Sequence, residues 1–518
     1  MASQWLLITE PPPSQEEILN SLRPQNVFIK PTLPLLVNPP DLPFPCWESL
    51  DVFEAINAHV SAQVHTFFNA VRARQDMCPA KDVRCDIKIC TQHFGISEGG
   101  DCGHRAYDSR RLTIHNPDTL PLLIHVIKLR IHSETAEHDN SVRPVSPRVP
   151  LDLATRLPHL RELDCPWLWE RLPIAFRSQA ARKYSRVWAG PWRDSRAEFA
   201  RGVRDTMSLL PPTLTKARLW FWLASFWADE MDQAAQMPDL VGATYEVEQV
   251  GQAMQQLSLS SAGDEFKGRD PVSLGMRTLG SRLEDIDIRA FITPDLFPSG
   301  DSTVGDSWPK MRHLKVEFHP CAPDGRWYFS GPRGEDPCGA GFTITEEEHY
   351  PPGLDDDEEL HELDSDEAEE YNMTCALQDY LRPDMFRILP IAERVNPLLL
   401  AFALSIRKDK MPSLQDAELF TWLRWYPSEE RAQEYAGSDD APQFDEDRRG
   451  TMFRWGLRYH GPQEGGDGKG KLTWQVGQNW KPGPEVMDAF LELAGGDGVN
   501  MEWEEFEFVN KREHHIFF

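Results

Sequence analysis

No apolar run in this chain is long enough to cross a bilayer. The longest, at 398–406, falls far short of the ~20 residues that a membrane helix needs. The opening stretch MASQWLLITEPPPSQEE has a short apolar patch, no basic flank and then a proline run, so no secretory signal is expected. No lipidation motif stands at either end. Basic residues are also in short supply. Lys and Arg number 54 against 82 Asp and Glu, a net charge of −28. That balance argues against a general nucleic-acid binder, which needs a basic footprint. P-loop, H-E-x-x-H and kinase signatures are missing, and so are paired C-x-x-C knuckles. The expectations are therefore no enzyme, no cofactor and no metal, neither membrane nor nucleic acid as partner, and a cytoplasmic or nuclear location.

What is present points to a folded chain. It has 518 residues, 40% of them apolar, with 17 Trp and 26 Phe, enough for a sizeable core. At ~100–200 residues per domain, up to three compact domains or one long repeat array fit this length. Nine cysteines suit a reducing compartment. Five sit early, at Cys46, Cys78, Cys85, Cys90 and Cys102, with His93 and His104 among them. Thiolates and imidazoles could hold zinc, but Cys85-x4-Cys90 and Cys102-x-His104 match zinc spacings poorly. Structural thiols are the favoured reading, and Cys90 alternates with Ile87 and Ile89 as a small buried residue would.

Residues 1–45 form a proline-rich arm. Residues 47–75 have apolar positions at three- and four-residue steps, at Leu50, Phe53, Ile56, Val60, Val64, Phe67, Phe68 and Val71, which predicts a helix. Short strands are expected at 83–94 and 110–115. A recurring word follows, in LPHLRELDC, PPTLTKARL, GSRLEDIDI, WPKMRHLKV and MPSLQDAEL. Each holds one apolar residue, two polar positions, a second apolar or small residue, one polar position and a third apolar residue. The triplets are Leu160/Leu163/Cys165, Leu214/Ala217/Leu219, Leu283/Ile286/Ile288, Met311/Leu314/Val316 and Leu414/Ala417/Leu419. Within LPLLIHVIKLRI, Ile124/Ile127/Leu129 makes a sixth.

The closing alternation is a short strand with one face buried. Amphipathic stretches at 196–207, 247–257 and 397–406 lie between the words, so strand and helix alternate and a parallel sheet with helices outside is predicted. This is the strand word of a leucine-rich repeat, whose units bury their apolar faces only by stacking. The expected fold class is α/β, an irregular leucine-rich-repeat-like solenoid of parallel strands and outer helices. A helical segment at 46–109 precedes the array at 110–449, and an α+β cap follows at 450–518. In that cap 452–461 and 471–480 form a hairpin, with a helix at 484–493 and a strand at 501–509. Where ordinary repeats carry Asn or Cys, this chain has Leu168, Trp222, Phe291, His319 and Trp422, which predicts a turn filled by bulk.

Two insertions interrupt the array, a polar stretch at 228–271 and an acidic one. Segment 345–370 holds 14 acidic residues and no Lys or Arg, and carries half the net charge. It reads as a solvated surface loop, or as a docking strip for a basic partner. Two glycine patterns offer no chemistry. Gly95-Ile96-Ser97-Glu98-Gly99 matches a nucleophile elbow in letters, but Gly-Gly-Asp-Cys-Gly follows it and starts no helix. Gly466-x-Gly468-x-Gly470 is a hairpin turn.

The polar positions of the words share one face of the expected sheet, its concave side. They are Asp164, Arg218, Asp287, Lys315 and Glu418, followed by Trp220, Arg289, Glu317 and Phe420. Both charge signs interleave with aromatics, which suits a protein partner.

The stretches LRELDCPWLWERLPIAFR, HLKVEFHPCAPDGRWYFSGPRGEDP, ITEEEHYPPG and LQDAELFTWLRWYPSEERAQEYAGSDDAP resemble filamentous-fungal proteins of the F-box and leucine-rich-repeat type. The resemblance spans about residues 110–510. It implies a helical F-box docking a Skp-type adaptor of a cullin ubiquitin ligase, with the repeats holding the substrate. Leu42-Pro43 followed by residues 47–60 stands in the F-box place, with Leu50, Phe53 and Ile56 as the implied adaptor contacts. The expected function is thus a protein-binding substrate adaptor, monomeric outside its complex, with a repeat scaffold lacking any ligase link as the alternative.

Overall fold

The computed structural model describes residues 6–8, 14, 26–29, 35–37, 50–77, 83–88, 111–132, 145–166, 189–222, 233–242, 266, 268–298, 307–350, 384–442, 451–462, 469–477, 480–494, 499–504 and 508–509. The chain is α/β with mostly parallel strand pairing. It divides into two compact units, 1–227 with 349–381, and 228–348 with 382–518. The boundaries at 227/228, 348/349 and 381/382 all fall inside the stretch 110–449 expected to be one array with insertions.

In the first unit, β1 (Leu6–Ile8) and β3 (Leu35–Val37) pair antiparallel. Strands β2 (Asn26–Ile29), β4 (Val83–Lys88), β5 (Val126–His132), β6 (Glu162–Cys165) and β7 (Lys216–Trp220) lie side by side in that order, all parallel. Helix α1 (Leu50–Met77) buries Ile56, Val60, Val64, Phe67, Phe68 and Val71, the stripe its spacing predicts. Its buried polar groups are used locally. Asn57 Oδ1 accepts from the Thr113 N–H at 3.0 Å, and Ser61 Oγ from the His115 N–H at 2.8 Å. Helices α2 (Val149–Ala154) and α3 (Ala189–Thr206) also belong to this unit, α3 reaching further toward its N-terminus than expected. The expected helical region at 46–109 therefore contains α1 and a sheet strand, β4.

The words become neighbouring rungs. Leu163 pairs with Ala217, and Cys165 with Leu219. The sixth word must be corrected by two residues. Leu129, not Ile127, pairs with Leu163, and the buried triplet is Val126/Leu129/Ile131, while Ile124 is exposed. The same rung continues to Cys85, which pairs with Leu129, so this thiol is a small core residue of β4. Among the described residues no group of His, Cys, Asp and Glu could hold a metal. Cys46, Cys78, Cys90 and Cys102 lie outside the described residues, as does most of the acidic segment.

In the second unit, β8 (Asp285–Ala290), β9 (His313–Phe318) and β12 (Asp416–Trp425) run parallel. Ile286, Leu314 and Ala417 share one rung, and Ile288, Val316 and Leu419 the next. Strand β13 (Thr451–His460) then lies antiparallel along the whole of β12, and β14 (Gly470–Gln475) antiparallel to β13. This is the expected hairpin, and it ends the parallel run. Strand β15 (Val499–Trp503) joins β14 in parallel, and β16 (Phe508–Val509) pairs with β13. The short strands β10 (Phe329–Ser330) and β11 (Leu389–Pro390) form their own antiparallel pair.

Helices α4 (Pro271–Gly280), α5 (Ala392–Ser405), α6 (Glu429–Glu434) and α7 (Pro484–Leu491) belong to this unit. Asp270 caps α4, its carboxylate accepting from the Ser273 N–H at 2.8 Å, with Pro271 in the first turn. Trp308 is fully buried against α4, its indole donating to the Arg277 carbonyl at 2.9 Å. The turn filled by bulk is realised in Phe291 and His319, whose buried rings stack with centroids 4.0 Å apart. Among the described residues no helix is long and apolar enough to cross a membrane.

Candidate protein-binding face

A strand points alternate side chains to opposite faces. The apolar positions of the words fill one face, so everything between them shares the other. Parallel register then aligns these polar residues into rows running across the strands.

In the first unit one row reads Arg84, Lys128, Glu162, Lys216, and the next Asp86, Arg130, Asp164, Arg218. Their centre is the buried Asp164 carboxylate. Arg218 donates to its Oδ1 from Nε at 2.7 Å and from Nη2 at 2.6 Å. Lys128 Nζ lies 3.0 Å and Arg130 Nε 3.5 Å from its Oδ2. Lys128 also pairs with Glu162 at 2.6 Å. Three cations thus hold one anion, which satisfies the burial requirement for a charge.

In the second unit the rows span more strands. One reads Asp285, His313, Asp416, His460, Lys471, and the next Asp287, Lys315, Glu418, Arg458, Thr473, Glu502. Signs alternate along this second row up to Thr473. Two ion pairs follow the register, Lys315 with Asp287 at 3.6 Å and Arg458 with Glu418, and two run diagonal to it, Arg454 with Glu418 at 3.3 Å and Lys471 with Glu502 at 2.7 Å. His313 Nδ1 meets Asp416 Oδ2 at 2.5 Å.

Farther along the strands this face goes into the interior. Arg289 pairs with Glu317 at 3.0 Å, and both are buried. Phe420 is buried with the Arg454 guanidinium 4.0 Å above its ring. Burial lowers the Arg454 pKa, and Glu418 opposes that shift. Gly456, opposite Phe420, makes this packing possible, since a Cβ there would lie 2.3 Å from the Leu419 carbonyl oxygen.

Of the nine residues expected on the face, Asp164, Trp220, Arg289, Glu317 and Phe420 are therefore not surface residues. Their side chains are consumed by packing and by neighbouring charges. Arg218, Asp287, Lys315 and Glu418 stay at least partly exposed, Arg218 at 35% and Lys315 at 45%. The members missing from that expectation include Arg84, Lys128, Arg130, Glu162, Lys216, Asp285, His313, Asp416, Arg458 and His460. Period-two counting from the words, carried two residues back and onto the hairpin, would have found all of these but Arg84. Of the implied adaptor contacts, Ile56 is fully buried in α1 and Phe53 half-buried, and the Leu50 side chain lies outside the described structure.

The second unit's face carries one small depression among the described residues. Arg458, His460, Lys471, Thr473, Gln475 and Glu504 line a depression of about 100 Å³, well below the ~300–1,000 Å³ of small-molecule sites.

A second polar cluster surrounds the WYFSGPRGEDP segment. Arg387 is fully buried over the Trp327 ring. It donates to the carbonyls of Gln233 (2.8 Å) and Phe329 (3.0 Å) and pairs with Asp336 at 2.6 Å. Arg431 pairs with Asp384 at 2.9 Å and covers the Phe386 ring, and Tyr435 donates to Glu335. Backbone carbonyls take up much of this cluster, so it holds loops in place.

A third group stands at α3. Tyr350 donates to Asp194 (3.0 Å) and accepts from Arg193 (2.8 Å), its ring resting where a Cβ on Gly190 would collide. Burial raises the Asp194 pKa to about 6, against the pull of Arg193 and Tyr350.

No family model, no curated protein and no solved structure matches this chain.

Proposed function

We propose that this protein is a binding module that recognises another protein through the polar strand faces. One observation carries the reading: the rows of charged side chains of both signs, held at cross-strand spacing by register and by their own ion pairs. Neighbouring strands lie ~4.8 Å apart, so the charges are fixed in position before a partner arrives. Pre-placed charges of both signs favour selection of a matching surface more than raw affinity. The small depression at Arg458 and His460 suits a protein surface better than a small ligand.

The more specific form of this proposal is a substrate adaptor of a cullin-type ubiquitin ligase, with the N-terminal part of α1 receiving a Skp-type adaptor. Of the three implied contacts, Phe53 is the described residue with exposure to offer.

Photo-crosslinking tests the module. A photoreactive side chain at position 218 or at position 315 is expected to capture a partner protein, and Asp287→Lys to weaken capture at 315. Yields no higher than from an off-face position such as Glu429 would overturn the reading. For the ligase form, purified Skp-type adaptor is expected to co-elute with the full chain and not with Phe53→Glu. Deleting the whole of α1 is unsuitable, because its buried stripe belongs to the core.

A further inference from the structure

The two strand faces differ in sign. On the first unit's face, among the described side chains, the register places five cations, at 84, 128, 130, 216 and 218, against two carboxylates, at 162 and 164. This basic excess belongs to a chain whose net charge is −28. In the second unit, the rows through Asp285 and Asp287 hold three cations (Lys315, Arg458 and Lys471) against five carboxylates (Asp285, Asp287, Asp416, Glu418 and Glu502).

We infer that the first unit's strand face is a docking surface for an acidic, Asp- and Glu-rich segment of a partner protein. The inference rests on the proposed use of the strand faces and adds the chemistry of one partner. Three features support it. Arg84 and Lys216 are exposed at opposite sides of the described face, so the excess charge meets solvent. Arg130 and Arg218 point from the next row at 39% and 35% exposure, and their other partner, Asp164, is already shared among three cations. A carboxylate arriving there meets guanidinium donors fixed by strand register, and a planar fork suits carboxylate geometry.

An interleaved anion decides between an acidic peptide and a nucleic acid. A phosphate backbone carries charge of one sign at every step and would set phosphates against Glu162. A peptide can alternate acidic and neutral side chains and so avoid it. The acidic remainder of the chain also repels a polyanion at long range, more strongly as its charge density rises.

The test uses the full chain and fluorescence anisotropy at low salt. The probes are a short labelled oligoglutamate, an oligoglutamine of equal length and a single-stranded oligonucleotide. Oligoglutamate is expected to bind, oligoglutamine not to bind, and added salt to weaken binding. Lys216→Glu and Arg84→Glu are each expected to cost about tenfold in affinity. Both residues are exposed, and circular dichroism confirms folding of each variant. Lys408→Glu, at an exposed turn outside the strand faces, is expected to leave binding unchanged. Absence of oligoglutamate binding, equal or tighter binding of the oligonucleotide, or indifference to both reversals would each overturn the assignment. Crosslinking at position 315 reads the general binding proposal separately. Success there with failure of oligoglutamate removes only the acidic-partner inference.

Discussion

Acid is expected to destabilise the second unit through His319. This ring is 8% exposed and stacked on Phe291, and its Nδ1 accepts the Cys321 N–H at 3.0 Å. Burial lowers its pKa to about 3. An unfolded histidine titrates near 6.5. Below that pH the unfolded chain takes up a proton that the folded one refuses until about pH 3. Stability is therefore present above 6.5 and lost as pH falls, at roughly 1.4 kcal/mol per pH unit. By pH 5 the loss from this residue is about 2 kcal/mol. The assay is denaturant unfolding at pH 7 and pH 5, followed by hydrogen exchange of the β9 amides. His319→Gln is the comparison, because a glutamine side-chain oxygen can still accept a hydrogen bond. The variant is expected to be less stable at pH 7, from lost stacking, by about 1 kcal/mol. It is also expected to lose about 2 kcal/mol less than the parent between the two pH values. Other titrating groups cancel in that difference. Equal losses in parent and variant would refute the account.

Asp194 works with the opposite sign. Its carboxyl is raised to about 6, so its contribution is complete below its unfolded value near 4 and is lost as pH rises through 6. Tyr350→Phe removes a hydrogen bond that lowers this pKa, and carboxyl NMR titration is expected to show it rising further. Arg387→Met is expected to cost about 3–5 kcal/mol in denaturant unfolding, because it removes the buried partner of Asp336 and strips two carbonyls of their donor. Gly456→Ala is expected to cost about 1–3 kcal/mol and to expose β12 and β13 amides to exchange. The position has φ 155°, and a Cβ would collide with the Leu419 carbonyl. Unchanged unfolding midpoints would refute either claim.

The strands and helices are largely a local matter. Period-two alternation in LRELDC, DIDI and HLKV is enough to locate β6, β8 and β9, and three- and four-residue spacing from Phe53 to Val71 marks α1. The error at the sixth word shows the limit. Residues 123–131 are apolar at nearly every second or third place, so several triplets fit. Only pairing with β6 selects Leu129 as the partner of Leu163. The polar face is half readable in the same way. The words reveal which residues point away from the core, but not that Asp164 receives three cations or that Phe420 lies under Arg454.

Alternating polarity along the chain, then, was sufficient for strand, helix, the α/β class and the identity of the non-core face. Such signals lie within a few residues of each other, where backbone geometry acts directly. Which strands adjoin, where the two units divide, and which charged groups end up buried were settled by assembly. Arg387 meets Gln233 across 154 positions, and Lys315 meets Glu418 on the neighbouring strand across a long excursion of chain. No short-range period encodes such meetings, because burial and ion pairing depend on every segment that arrives at the same place.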